Sequence, residues 1–249
     1  MLPASFLDRP IAHRAYHDIA AGRPENSVEA IIAAIEAGYG IEIDLQLSSD
    51  GVAMVFHDYD LDRLTAETGP LRARSAAALG AIPLRHGAKG IPTFAEVLAL
   101  VAGQVPLLVE IKDQDGAMGP DVGALEAAAA RALAGYAGPV ALMSFNPHSV
   151  AALAALAPDT PRGITTCAYQ GADAEQLPEA RLASLRDIAD FDRTGACFIS
   201  HDWRDLSAPR VAELRAAGVP VLCWTVRSPE DEAVARAVAH NITFEGYPA

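Results

Sequence analysis

Eight times along the chain a short apolar run ends in polar residues and gives way to a helical pattern. The runs begin near Ile11, Gly40, Pro106, Val140, Arg162, Ala196, Val219 and Asn241. The helical patterns between them cover residues 28–37, a stretch capped by Thr93, and then 122–133, 148–156, about 175–189, 208–217 and 229–239. Asn26 or Ser27 can cap the first of these and Gly38 stops it, because a side-chain oxygen satisfies free first-turn amides and glycine accepts the left-handed exit. Pro209 and Pro229 sit where a first helical turn needs no N–H. Strands alternating with helices predict a parallel sheet, and eight such units close into a (β/α)8 barrel with its site at the C-terminal ends of the strands. A single domain over residues 1–249 is of ordinary size for that fold. The competing doubly wound sheet lacks support, since neither glycine-rich phosphate loop of that class is present.

The second unit departs from the pattern. Glu42 and Asp44 alternate with Ile41, Ile43 and Leu45, so both acids leave one face of a strand. Asp50-Gly51 then reads as a two-residue hairpin turn into a second alternating run, 52–56. Counting outward from that turn sets Leu45 opposite Phe56 and Asp44 opposite His57. This hairpin stands on strand two as an extension. Residues 59–90 are irregular, with one short helix near 75–79, and a connection of this length inside a compact domain is expected to be a functional lid.

The polar strand ends collect one constellation: His13-Arg14, Glu42 and Asp44, Glu110 and Lys112, Ser144-Phe145, Ser200-His201, Trp224 and Phe244-Glu245. Any one of the three acids could simply pair with Arg14 or Lys112. Three converging carboxylates repel one another and call for a cation, and an all-oxygen set suits Mg²⁺ or Ca²⁺ rather than Zn²⁺. His13 and His57 approach the same centre and can serve as base and acid, because imidazole titrates near neutrality. His17, His86, His148 and His240 are expected to be merely hydrogen-bonded, and His201 is well placed but lacks an evident partner. Arg14 and Lys112 add the positive charge that a phosphoryl or carboxylate group needs. Together these groups suggest phosphodiester cleavage, with Trp224 and Phe145 as walls for the alcohol portion, although isolated aromatics more often serve core or rim packing.

Composition narrows the partners. The 32 acidic against 19 basic side chains argue against a nucleic-acid surface or an anionic membrane. Cys167, Cys197 and Cys223 have no C-x-x-C spacing and fit a reducing compartment. With no signal-peptide pattern and no run long enough to span a bilayer, a cytoplasmic protein is expected. Nothing in the sequence specifies an oligomer.

The residues H-R-A at His13, P-E-N-S at Pro24, E-I-D at Glu42, D-G-x-x-x-V-F-H-D from Asp50, I-P-T-F-x-E at Ile91, V-E-I-K at Val109, S-F at Ser144 and W-T-V at Trp224 resemble, in order and spacing, the glycerophosphodiester phosphodiesterase family. The resemblance spans nearly the whole chain. It implies a barrel enzyme, dependent on a divalent cation, that hydrolyses small-molecule glycerophosphodiesters to an alcohol and sn-glycerol 3-phosphate. Carried over position by position, His13 and His57 resemble the acid/base pair, Glu42, Asp44 and Glu110 the metal ligands, Arg14 and Lys112 the phosphate contacts, and Glu25 a supporting residue. The chain departs from the pattern at Ala15, where glycine is usual, at Arg227, where asparagine is usual, and at its I-T-F-E-G-Y-P ending, so that Arg227 and Glu245 are expected to reshape the pocket. Three other readings use the same residues: a lyase releasing a cyclic phosphate, a non-catalytic barrel that holds a phosphorylated metabolite, and a metal-dependent sugar isomerase.

Overall fold

A computed structural model describes residues 1–171 and 177–249. Its strands are Ile11–Ala12 (β1), Gly40–Leu47 (β2), Ala53–Val55 (β3), Leu107–Ile111 (β4), Val140–Ser144 (β5), Arg162–Thr166 (β6), Phe198–Asp202 (β7), Val221–Val226 (β8) and Asn241–Phe244 (β9). All but β3 pair in parallel with their neighbours, and β1 bonds to both β2 and β9, which closes an eight-stranded barrel. Every barrel strand begins within two residues of the position read from the sequence.

A four-residue helix, Ser5–Asp8 (α1), precedes the barrel. Val28–Ala37 (α2) is capped by Ser27, whose side chain accepts from the Ala30 amide, and ends at Gly38. Ala76–Gly80 (α3) is the short helix expected in the long connection. Phe94–Val101 (α4) carries a capping box between Thr93 and Glu96. The crossovers continue with Ala124–Leu133, Pro147–Leu156, Glu179–Arg186 with Phe191–Thr194, Pro209–Ala216 and Pro229–Ala235. The expected start of the fifth helical pattern at Glu175 lies outside the described residues; within the rest of that range the helix is Glu179–Arg186, and a separate short helix, Phe191–Thr194, follows beyond its expected end.

The period-2 alternation of the strands sorts the side chains into two cores. The outward set, including Ile41, Ile43, Val109, Leu142 and Ile199, packs beneath the helices. A second set, Ile11, Leu108, Ala141, Met143, Phe198 and Leu222, packs together with Phe6 of α1. Gly163 makes room here, since a Cβ would collide with the Phe198 ring. Two residues further along the same strands the alternation becomes polar: His13, Glu110, Thr165, Trp224 and Thr243 all line one cavity. The fold thus seals one part of the barrel with apolar side chains and leaves chemistry at the C-terminal mouth.

The hairpin register differs from the sequence reading by one residue. Leu45 opposes Val55, Gln46 opposes Met54 and Leu47 opposes Ala53, and the Phe56 amide donates to the Asp44 carbonyl at 2.9 Å. Asp44 therefore faces Phe56, not His57. A two-residue Asp-Gly loop of the type I′ kind needs positive φ at both residues, whereas in the turn only Gly51 has it, at 76°. The loop has three residues instead, closed by the Ser48 amide on the Val52 carbonyl at 3.0 Å and the Val52 amide on Ser48 Oγ at 2.9 Å. Because a one-residue slip inverts every face, this choice sets Val55 with Leu45 in the main core. Met54 and Phe56 instead join Leu61, Leu64, Leu71, Leu79, Ile82, Leu84 and Ile91 in a separate small core. The connection after the hairpin is thus a packed cap rather than an open loop.

Candidate active site

The neighbouring strands β2 and β4 bring three carboxylates together. Glu42, Asp44 and Glu110 are buried, and one oxygen of each lies within 4.8 Å of the others. Lys112 Nζ stands 2.8 Å from Glu110 Oε1 and 3.5 Å from Asp44 Oδ1. Arg14 gives its backbone amide to Glu42 Oε2 at 2.8 Å, and its Nε lies 3.7 Å from Asp44 Oδ2. Two cations thus face three acids, and the imbalance falls on Glu42. Burial pushes its carboxyl well up, and the charges of Asp44 and Glu110 push it further. Burial opposes ionisation of Asp44 too, but Lys112, His57 and Arg14 outweigh it and hold that carboxyl well below the usual range. Burial likewise works against the Lys112 charge, and Glu110 and Asp44 overcome it. A buried all-oxygen cluster with one under-compensated charge fits a hard divalent cation.

Presenting the Arg14 amide requires left-handed backbone. Arg14 has φ 51° and the following Ala15 φ 65°, a region that disfavours non-glycine residues by about 1–2 kcal/mol each. Position 15, where the family pattern carries glycine, is therefore one that needs positive φ, and alanine occupies it under strain. Asn26, at φ 58°, repeats the device. Its Nδ2 donates to Asp44 Oδ2 at 2.9 Å, and its Oδ1 accepts the Asp44 amide at 3.2 Å. Ser27 is the helix cap, which frees Asn26 for the site. Capping propensity alone could not separate the two roles.

Each imidazole is backed by a carboxylate on its Nδ1 side. His13 Nδ1 is 2.5 Å from Glu245 Oε2, and His57 Nδ1 is 2.7 Å from Asp58 Oδ1. Burial lowers the His13 pKa, against the pull of Glu245. Arg227 Nε holds the other oxygen of Glu245 at 2.7 Å. Arg63 Nη2 reaches both Asp58 Oδ1 and Glu25 Oε1 at 2.8 Å, and Glu25 Oε1 also accepts from Arg14 Nη1 at 2.8 Å. Glu25 thus ties Arg14 to Arg63, and through Arg63 to the carboxylate behind His57. Arg63 carries no periodicity or spacing signal in the sequence. His17, expected to be only hydrogen-bonded, reaches the same Glu245 oxygen at 3.4 Å. His201 bonds Thr166 Oγ1 at 2.6 Å and Asp205 at 3.1 Å.

These groups surround a cavity of about 180 Å³. Nine of the residues read from the sequence line it: His13, Arg14, Glu42, Asp44, His57, Glu110, Lys112, Phe145 and Trp224. Glu25 stands behind Arg14. His57 reaches the cavity despite the shifted register because it lies beyond the paired part of the hairpin. Phe145 and Trp224 meet edge to face at 5.4 Å, and the indole donates to the Ser200 carbonyl at 3.0 Å, which fixes the wall. Thr165, Arg204, Thr225, Arg227 and Thr243 also line the cavity. Among the described residues the buried Thr165 and Thr243 hydroxyls have no protein partner, so they are available to a ligand. The chain alternation of β6 and β9 was the only sequence signal for them.

The sequence model of the glycerophosphoryl diester phosphodiesterase family matches residues 13–242. An uncharacterised protein of Mycobacterium tuberculosis is 31% identical over 129 residues, covering 45% of this chain and 42% of that protein; this match therefore spans about two-fifths of the relative's own length. A glycerophosphodiester phosphodiesterase of Bacillus subtilis is 26% identical over 228 residues, covering 84% and 73% of the two chains. A solved phosphodiesterase of Oleispira antarctica, in complex with the product sn-glycerol-3-phosphate, shares the fold with a TM-score of 0.79 at 24% identity, over 98% of this chain and 95% of that one.

Proposed function

The chain belongs to the glycerophosphoryl diester phosphodiesterase family, and we propose that it hydrolyses glycerophosphodiesters to an alcohol and sn-glycerol 3-phosphate. One observation carries this reading: a three-carboxylate cluster, two cations and two carboxylate-backed imidazoles meet at one small cavity. The residues that would hold a divalent cation are Glu42, Asp44 and Glu110, and the oxygen set favours Mg²⁺ or Ca²⁺. When bound, such a cation supplies Lewis-acid stabilisation of charge on the phosphoryl oxygens.

The protein's own groups supply the rest. Arg14 and Lys112 stand beside the acids and neutralise the charge that builds on the phosphoryl group as the water attacks. His13, whose neutral form burial favours, takes the proton of the attacking water. His57 gives a proton to the departing alkoxide. Glu245 and Asp58 occupy the Nδ1 sides, which fixes each ring and leaves Nε2 for proton transfer. Phe145 and Trp224 bound the alcohol portion, and the Thr165 and Thr243 hydroxyls are donors for glycerol oxygens. The protein acts as a soluble cytoplasmic enzyme in this reading; among the described residues no helix is long and apolar enough to cross a membrane.

The test is incubation with glycerophosphocholine and a panel of related diesters, with and without a chelator, followed by phosphorus NMR. Glycerol 3-phosphate should appear only with the cation. Cleavage of no diester in Mg²⁺, Ca²⁺ or Mn²⁺ rejects the proposal, and a cyclic phosphate as the end product replaces hydrolysis with the lyase reaction. His57→Ala should abolish turnover with the fold intact.

A further inference from the structure

We infer that His13, His17 and Glu245 form a second cation site, one for a divalent transition metal with affinity for imidazole such as Zn²⁺, whose occupation silences His13. Glu245 Oε2 lies 2.5 Å from His13 Nδ1 and 3.4 Å from His17 Nε2, and the three donor atoms all lie within 4.8 Å of one another. Arg227 holds Oε1 at 2.7 Å, so Oε2 is the oxygen turned to both rings. All three residues are partly buried.

The backbone is shaped to build this trio. Left-handed Arg14 and Ala15 reverse the chain, the His17 amide closes the turn on the Ala15 carbonyl at 2.9 Å, and His17 returns to the carboxylate that already holds His13. Glu245 comes from the C-terminal end of β9, at the position where the chain departs from the family ending. Two imidazoles and one carboxylate with an open fourth position make a donor set suited to Zn²⁺, whereas the neighbouring all-oxygen cluster suits harder ions. The two clusters therefore sort metals by ligand type. With metal–ligand bonds of about 2.0–2.2 Å, tetrahedral donors stand about 3.3 Å apart. His17 and Glu245 already have that spacing, and His13 must withdraw from Glu245 by less than about 1 Å, a side-chain adjustment.

Occupation has a chemical consequence. The metal takes the Nδ1 lone pair of His13, and the single N–H proton of the neutral ring, held toward Glu245 in the metal-free protein, moves to Nε2 by exchange with solvent. Nε2 then has no lone pair with which to accept a proton. This inhibition rests on His13 being the proton acceptor of the proposed hydrolysis; the binding site does not.

The experiment titrates Co²⁺ into the protein in excess Mg²⁺, which occupies the carboxylate cluster, and follows the visible d–d bands of nitrogen-ligated Co²⁺. The wild type should bind one equivalent. His17→Ala should bind about tenfold more weakly or worse, and His17→Cys, which restores a ligand, should recover binding. His17→Ala should keep Mg²⁺-supported turnover, and its half-inhibition by Zn²⁺ should shift upward by the same factor. A wild type without the nitrogen-ligated bands, or a His17→Ala protein binding Co²⁺ as tightly as wild type, overturns the site. Should no diester be cleaved at all, the Co²⁺ titration still decides, so the two failures are distinguishable.

Discussion

Asn26 is the residue on which the acid cluster turns. It is buried, sits at φ 58°, and clasps Asp44 through both side-chain amide atoms. Asn26→Gly keeps the backbone conformation and removes only the clasp, leaving buried Asp44 groups short of partners. We expect a loss of about 2–3 kcal/mol in urea unfolding together with a fall in kcat/KM; wild-type stability would mean that the clasp is idle. His201 gives a different, pH-linked outcome. Burial lowers its pKa below 6.5, despite Asp205, so the unfolded chain takes up the proton first. Its contribution to stability is complete above pH 6.5 and is lost as pH falls below that value, with a slope of at most about 1.4 kcal/mol per pH unit for one proton. His201→Gln should flatten the melting temperature between pH 7 and 5, and an unchanged slope would assign the acid loss elsewhere. Such residues also mark what the sequence conceals. The acids and imidazoles were legible because chemistry restricts their residue types and strand alternation fixes their face. Asn26 was not, because one side-chain oxygen serves a helix cap and a buried carboxylate equally well, and only the fold decides between them.

At the scale of elements, the barrel strands were readable because each is a buried run punctuated by capped helices, and their starts moved by no more than two residues. The hairpin was readable as an element but not in register. Asp50 has its carboxylate engaged by Ser48 Oγ at 2.6 Å and by the Ala76 amide at 2.8 Å, so it serves as an anchor to α3 rather than as a left-handed turn residue. That contact joins residues distant in sequence, which no local pattern reports. The connection after β3 was expected as a lid, and its apolar residues pack on Met54 and Phe56 instead. What it sends into the site is Arg63, which holds Asp58 behind His57 and Glu25 behind Arg14. Arg63→Met should lower kcat/KM about ten- to hundredfold, as loss of an orienting partner does, while the melting temperature changes little, since the side chain is half exposed. Equal kinetics in the variant would detach the cap from catalysis.

Across the whole molecule, stability and the proposed activity pull on the same charge. Three carboxylates at the mouth of an otherwise apolar barrel leave Glu42 under-compensated, with burial, Asp44 and Glu110 all raising its pKa. The sign follows: a raised carboxyl binds its proton more tightly in the folded state, so the metal-free protein loses stability as pH rises above the ordinary glutamate range. A divalent cation bound by Glu42, Asp44 and Glu110 would reverse that deficit. At a hundredfold excess over Kd the gain is about 2.7 kcal/mol, or roughly 5–10 °C for a domain of this size. Glu42→Gln removes both the cost and the gain. Without cation it should melt at or above the wild-type temperature at pH 7.5, because neutral amide replaces a disfavoured buried charge. With Mg²⁺ or Ca²⁺ the order should invert, with the wild type rising and the variant nearly fixed. Thermal scans of both proteins with chelator and with cation make the comparison directly. A variant that is less stable in chelator, or that gains as much from the cation as wild type does, would show that Glu42 is neither the strained charge nor a ligand.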